Sequence, residues 1–175
     1  MNLIIGAPTW LVAILFAALA AAAVEDFIRR QISNVTCLAV LVAALVAMGL
    51  HGFSLALWQN AVVFLFLLGA GYLLFAAKKM GGGDVKLFAC LGLWVNISDG
   101  IRLIATVLIA GGVIALLYLA SRLLPSRRPR ESIKGRQIPY GLAIVAGAAL
   151  IFVGQMGLLK SKPERPTAES FRSLS

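Results

Sequence analysis

The chain has 175 residues, of which 61% are hydrophobic and only 13% are charged. Soluble domains carry roughly 25% charged residues, so this composition excludes an ordinary soluble globular protein. The formal net charge of +9 would suggest nucleic-acid binding in a soluble protein, but here the basic residues lie between hydrophobic segments. We therefore expect no nucleic-acid partner and attribute the charge to membrane topology and contact with membrane lipid.

Four long runs of the sequence contain no Asp, Glu, Lys or Arg. They cover residues 3–24, 31–77, 103–121 and 137–159. A helix needs about 20 apolar residues to cross the hydrocarbon core of a bilayer, and the second run is long enough for two crossings. The runs therefore predict an all-α polytopic membrane protein.

The first predicted span covers about residues 4–24 and ends at Glu25 and Asp26. The Ala-rich segment 17–23 offers cleavage sites of the kind found in signal peptides. However, no Lys or Arg precedes the apolar run, and the run is long for a signal peptide. We therefore expect a retained membrane span.

The second and third spans are predicted over about residues 35–50 and 55–77. Ser33 and Asn34 precede the second span and are residue types that cap helix N-termini. The pair His51-Gly52 interrupts the long apolar run and predicts the turn between the two spans.

A short apolar segment follows Gly81-Gly82-Gly83-Asp84 and ends near residue 96. It is too short to cross a bilayer, so we predict a short fourth helix whose start lies below the membrane surface. Asp99-Gly100 is predicted as the next turn.

The last two spans are predicted over about residues 101–121 and 139–159, which gives six in all. Pro139 suits the first turn of the sixth helix. We expect residues 1–159 to form a single membrane-embedded domain and residues 160–175 to form a polar, disordered tail.

The distribution of basic residues predicts the orientation of the six spans. Eleven basic residues lie in or beside the loops that join span 1 to 2, span 3 to 4 and span 5 to 6. The opposite loops contain only Arg102. The positive-inside rule makes the first set cytoplasmic, although the basic tail does not follow this pattern. The eleven residues are Arg29, Arg30, Lys78, Lys79, Lys86, Arg122, Arg127, Arg128, Arg130, Lys134 and Arg136.

Asp26 and Asp84 fall at the same membrane face in this topology. Ionisable groups at membrane depth are costly and usually mark function. Two neighbouring carboxylates share one proton, so together they can activate a water and polarise a peptide carbonyl. This chemistry uses no metal or other cofactor, and the isolated Cys37 and Cys90 have no metal-ligand spacing.

The residues alone leave three interpretations open for these acids. The first is a catalytic pair. The second is a set of interfacial acids paired with nearby Arg or Lys residues. The third is a proton relay in a small transporter. The triple glycine favours catalysis, because its backbone can approach a substrate chain closely.

Three motifs resemble those of the prepilin peptidases, which are aspartic membrane peptidases of type IV pilus, type II secretion and Tad systems. Residues 81–86 are similar to the family's G-x-G-D-x-K signature. Residues 26–34 are similar to its Asp followed by an I-P-N element, with Ser33 in place of proline. Residues 138–144 are similar to its P-Y-G-x-A-I opening of the last helix. The resemblance covers about residues 10–157.

By this resemblance Asp26 and Asp84 are the catalytic pair, and the family pattern favours Asp26 over its neighbour Glu25. One residue is about 100° of helix rotation, so Glu25 and Asp26 cannot both face Asp84. The resemblance also assigns secondary candidates. Gly81 and Gly83 shape the loop, Lys86 contacts substrate or lipid headgroups or simply reaches the interface, and Asn34, Pro139 and Tyr140 support the pair or have structural roles.

The resemblance implies an aspartic endopeptidase that removes the leader of type IV pilin-like or pseudopilin precursors at the cytoplasmic face of the inner membrane. The paired C-x-x-C motifs of larger family members are not found in this sequence. That implies the short Tad/Flp-type form, without N-methyltransferase activity. The alternatives are a catalytically silent pilus-assembly membrane protein and a small proton-coupled transporter. The sequence indicates neither the particular pilin nor the oligomeric state.

Overall fold

The computed structural model describes residues 2–52, 57–123 and 140–160, and within these ranges every regular element is a helix. The predicted all-α fold is therefore confirmed. Most of the basic loop after residue 123, Pro139 and the C-terminal tail lie outside the described residues. The helices are α1 (Leu3–Gly6), α2 (Thr9–Arg29), α3 (Asn34–His51), α4 (Trp58–Ala76), α5 (Gly82–Gly92), α6 (Ile97–Leu123) and α7 (Tyr140–Lys160).

Four of the described helices are long and apolar enough to cross a membrane. They are α2, α3, α4 and the first 21 residues of α6. Helix α7 contains a shorter apolar stretch, Gly141–Gly157. Helix α5 has 11 residues and is about 16 Å long, so it cannot cross a bilayer alone. This pattern fits the predicted polytopic membrane protein with a short fourth helix.

Helix α2 continues beyond the predicted end of the first span. The chain is extended at Pro8, and the helix runs from Thr9 to Arg29. Arg30 then takes a left-handed conformation with φ 53°, and its N–H donates to the Asp26 carbonyl at 2.9 Å. Backbone hydrogen bonding carries the helix past the apolar run, so Asp26 lies within the last helical turns.

The prediction of a turn at Asp99-Gly100 is wrong, because both residues lie in the first turn of α6. The Asn96 side chain caps this helix by accepting a hydrogen bond from the Asp99 N–H at 2.8 Å. The Asp99 carboxylate binds Arg102 at 3.1 Å and Asn2 at 2.8 Å. These contacts join the start of α6 to the N-terminus.

Two buried side chains fix the C-terminal end of helix α5 in the core. Asn60 of α4 is fully buried and donates to the Leu93 carbonyl at 2.8 Å. Trp94 is also fully buried, and its indole N–H donates to the Val40 carbonyl of α3 at 3.3 Å. Because α5 is held between α3 and α4 in this way, its N-terminal turn lies at the end of the bundle where α2 ends and α7 begins.

Candidate active site

Asp26 is buried at the end of α2, with 3% of its surface exposed. Its carboxylate oxygen Oδ2 accepts a hydrogen bond from the backbone N–H of Leu142 at 2.8 Å. The N–H of Gly141 interacts with the same carboxyl group. Both N–H groups belong to the first turn of α7, where backbone N–H groups have no partner within the helix.

Asp84 lies in the first turn of α5 and has 9% of its surface exposed. The Gly81 N–H interacts with its carboxyl group. The carboxyl groups of Asp84 and Asp26 are close enough for their charges to repel each other. The fold therefore brings together two buried carboxyl groups that are 58 positions apart in the sequence.

The glycines of the loop permit close approaches that a side chain would block. A Cβ atom on Gly83 would lie 2.7 Å from the Ile32 carbonyl oxygen. A Cβ atom on Gly81 would lie 3.0 Å from Oδ2 of Asp84. At Gly82 the nearest atom would be a Phe75 ring carbon at 3.4 Å, which is an ordinary contact. The third glycine thus sets how closely α5 approaches the α2–α3 loop, and the first leaves room for the Asp84 carboxyl group.

Glu25 organises the loop between α2 and α3. Its Oε2 accepts hydrogen bonds from the Ser33 N–H at 2.8 Å and from the Thr36 hydroxyl at 3.0 Å. Ser33 caps α3, because its side chain accepts the Thr36 N–H at 3.2 Å. Serine therefore supports the start of α3 at the position where prolines are common in the resembling family.

Lys86 and Asn34 contact each other on the exposed side of the site. The Lys86 ammonium donates to the Asn34 side-chain oxygen at 2.9 Å. Behind this pair, the Cys37 thiol donates to the Gly83 carbonyl at 3.6 Å. These contacts attach the start of α3 to the start of α5, so Asn34 links Lys86 to the loop rather than contacting either aspartate.

A model of the type IV leader peptidase family matches residues 13–120, which is more than half of the chain and includes both aspartates. The chain belongs to the type IV leader peptidase family. Membership indicates a peptidase, and therefore a hydrolase, that is embedded in a membrane by several helices. No curated protein and no solved structure gives a significant match.

An apolar groove of about 410 Å³ lies beside the Asp84 loop of this leader peptidase family member. It is bordered by α4, α5, α6 and α7, and its described lining is apolar or glycine apart from Lys79. Because Met80 and Ala143 contribute to the lining, the groove adjoins both the loop before Asp84 and the turn that holds Asp26. Lining residues include Met80, Phe88, Val107, Gly112, Ala115 and Ala143.

Two of the predicted supporting residues are only partly placed by the structure. Pro139 lies outside the described residues, and Tyr140 is described as the first residue of α7 without its side chain. The residues that do hold Asp26, Gly141 and Leu142, were not predicted as site residues. The motif similar to P-Y-G-x-A-I contains both and could have drawn attention to this turn. However, nearly every residue has a backbone N–H, so the sequence does not show which of them donates to a carboxylate.

Proposed function

We propose that this protein is an aspartic endopeptidase that cleaves the leader peptide from type IV pilin-like (Flp-type) or pseudopilin precursors. The observation that carries the proposal is that Asp26 and Asp84 are both buried at one end of the helical bundle, near enough for their charges to interact. Membership of the leader peptidase family supports this class of substrate. The proposal concerns the cleavage step alone.

Two neighbouring carboxyl groups that share one proton are suited to hydrolysis of a peptide bond. The ionised carboxylate takes a proton from a water molecule while the water oxygen attacks the peptide carbonyl carbon. The protonated carboxyl group donates a hydrogen bond to the carbonyl oxygen, where negative charge develops. When the C–N bond breaks, the leaving nitrogen takes a proton from the pair, which returns to its singly protonated state.

The charge distribution supports a site at the cytoplasmic face of the inner membrane. In the predicted topology, the loops at the end of the bundle that carries the two aspartates contain the excess of Lys and Arg residues. Such an excess is typical of cytoplasmic loops. A precursor with a basic cytoplasmic leader followed by an apolar helix would present the junction between them at this depth.

The groove beside Asp84 supports a substrate with an apolar helix. Its lining offers little for a polar chain to bind, and it adjoins the loop before Asp84. The close spacing of Gly111 and Ala115 on α6 would let another helix approach the backbone there. We propose that the apolar helix of the precursor occupies this groove while its leader junction lies between the aspartates.

The test is to incubate the purified protein with candidate prepilins and locate the cut by mass spectrometry. Asp26→Asn and Asp84→Asn should each leave a folded membrane protein and abolish cleavage, because an amide can neither accept the proton of the water nor supply the shared proton. If both variants still process a precursor, the dyad mechanism is wrong. Binding of the precursor without any change in its mass would favour an assembly role instead.

A further inference from the structure

The first turn of α7 lies directly against the Asp26 carboxyl group. The Leu142 N–H donates to Oδ2 at 2.8 Å. A Cβ atom on Gly141 would lie 2.7 Å from Cγ of Asp26 and 2.8 Å from Oδ2. These distances are shorter than side-chain carbons adopt, so a residue with a side chain at position 141 would displace the carboxyl group.

Asp26 has little room to adapt to such a displacement. It is buried, and α2 packs against both α3 and α7 around it. A hydrogen bond from a backbone N–H to a carboxylate is stronger than one between neutral groups, and the N-terminus of a helix favours a negative charge. The turn therefore holds the carboxyl group against the start of α7.

We infer that Gly141 is a positioning residue for the reaction and that the Leu142 N–H is the donor that fixes Asp26 opposite Asp84. The inference rests on the proposed function, because it assumes that the two aspartates perform hydrolysis. It adds to the peptidase a part of the chain that lies beyond residues 13–120, the segment matched by the family. Without this turn the Asp26 side chain would lack its described hydrogen-bond donor.

The decisive variant is Gly141→Ala, with Gly154→Ala as its matched control. Both substitutions add one methyl group to α7, but a Cβ atom on Gly154 has no neighbour within 4 Å. Displacement of a reacting group by about 1 Å can cost about 100-fold in rate, so we expect kcat of Gly141→Ala to fall by about that factor. KM should stay within about threefold, because the apolar helix of the precursor binds in the groove and not at Asp26. Gly154→Ala should match the wild type.

A second variant replaces the donor N–H with the ring nitrogen of proline, whose Cδ atom would press on Oδ2 of Asp26. Proline is tolerated in the first turn of a helix and has no N–H, so Leu142→Pro deletes this hydrogen bond. Leu142→Ala keeps the N–H and should retain at least about tenfold more kcat than Leu142→Pro, on the same argument about displacement. This comparison tests the inference even if Gly141→Ala fails to fold.

Three results would overturn the inference. The first is wild-type kcat in a folded Gly141→Ala protein. The second is equal kcat for Leu142→Pro and Leu142→Ala. The third is a rise in KM with unchanged kcat, which would make this turn a substrate contact. These results differ from failure of the proposed function, in which the wild-type protein itself cleaves no precursor.

Discussion

Replacing Gly83 with alanine is expected to disturb the dyad by moving the start of α5. The added Cβ atom would lie 2.7 Å from the Ile32 carbonyl oxygen, 3.1 Å from the Ile32 Cβ and 3.2 Å from its nitrogen. Two of these three neighbours are backbone atoms, so they cannot rotate away. A separation of about 0.7 Å between α5 and the loop would be needed to restore an ordinary contact of 3.4 Å.

Forced overpacking of this kind costs about 1–3 kcal/mol. If the strain is relieved by displacement of Asp84, a loss of about 10- to 100-fold in kcat/KM follows, because about 1.4 kcal/mol corresponds to a tenfold change in rate. Gly82→Ala is the control in the same loop, since its Cβ atom would meet only the Phe75 ring at 3.4 Å. We expect Gly82→Ala to lose less than threefold, well below the cost of overpacking.

The assay is the initial rate of precursor cleavage in detergent or proteoliposomes, followed by mass spectrometry of the released leader. Folding of each variant is checked by its elution profile and thermal unfolding. Equal kcat/KM values for Gly83→Ala and Gly82→Ala would refute the reasoning, because the contact with Ile32 would then have no influence on the dyad. A loss in both variants would point to a loop that tolerates no side chain at all.

Two further predictions concern the loop acid and the groove. Glu25→Ala should lower the free energy of unfolding by about 1 kcal/mol, because the Ser33 N–H and the Thr36 hydroxyl lose their acceptor. Precursor cleavage should persist. Abolished cleavage in a folded Glu25→Ala protein would contradict the assignment of Asp26. Gly112→Phe should fill the groove and raise KM at least about tenfold for a full precursor but not for a short peptide spanning the cleavage junction. Gly69→Phe on the exposed surface of α4 is its control, and equal KM values for the two variants would argue against the groove.

Much of the arrangement around the dyad follows from simple properties of the sequence. Hydropathy fixes the number and order of the apolar segments, and the alternation of spans brings Asp26 and Asp84 to one end of the bundle. Helix geometry also shows that Glu25 and Asp26 cannot both face Asp84, because neighbouring residues point about 100° apart, whereas the preference for Asp26 comes from the family pattern. In the structure Glu25 faces the α2–α3 loop, and Asp26 faces α7.

Helix boundaries were harder to predict because charge marks the end of an apolar run rather than the end of a helix. The charged pair Glu25-Asp26 therefore indicates the end of the apolar run, whereas the helix itself continues to Arg29. In the same way, Asp99-Gly100 has the composition of a turn but belongs to α6. There, the cap at Asn96 and the pairing of Asp99 with Arg102 satisfy the polar groups inside a helix.

The spacing of the G-x-G-D motif has a physical explanation that only the packing supplies. Gly81 faces the Asp84 carboxyl group and Gly83 faces the backbone of Ile32, whereas Gly82 faces the edge of an aromatic ring at an ordinary distance. The same logic applies to Gly141, which meets Asp26 across 115 positions of sequence. In the sequence, a glycine that such a contact requires cannot be told from a glycine that no contact requires. The contact atom, and not the glycine itself, therefore decides which substitutions the site tolerates.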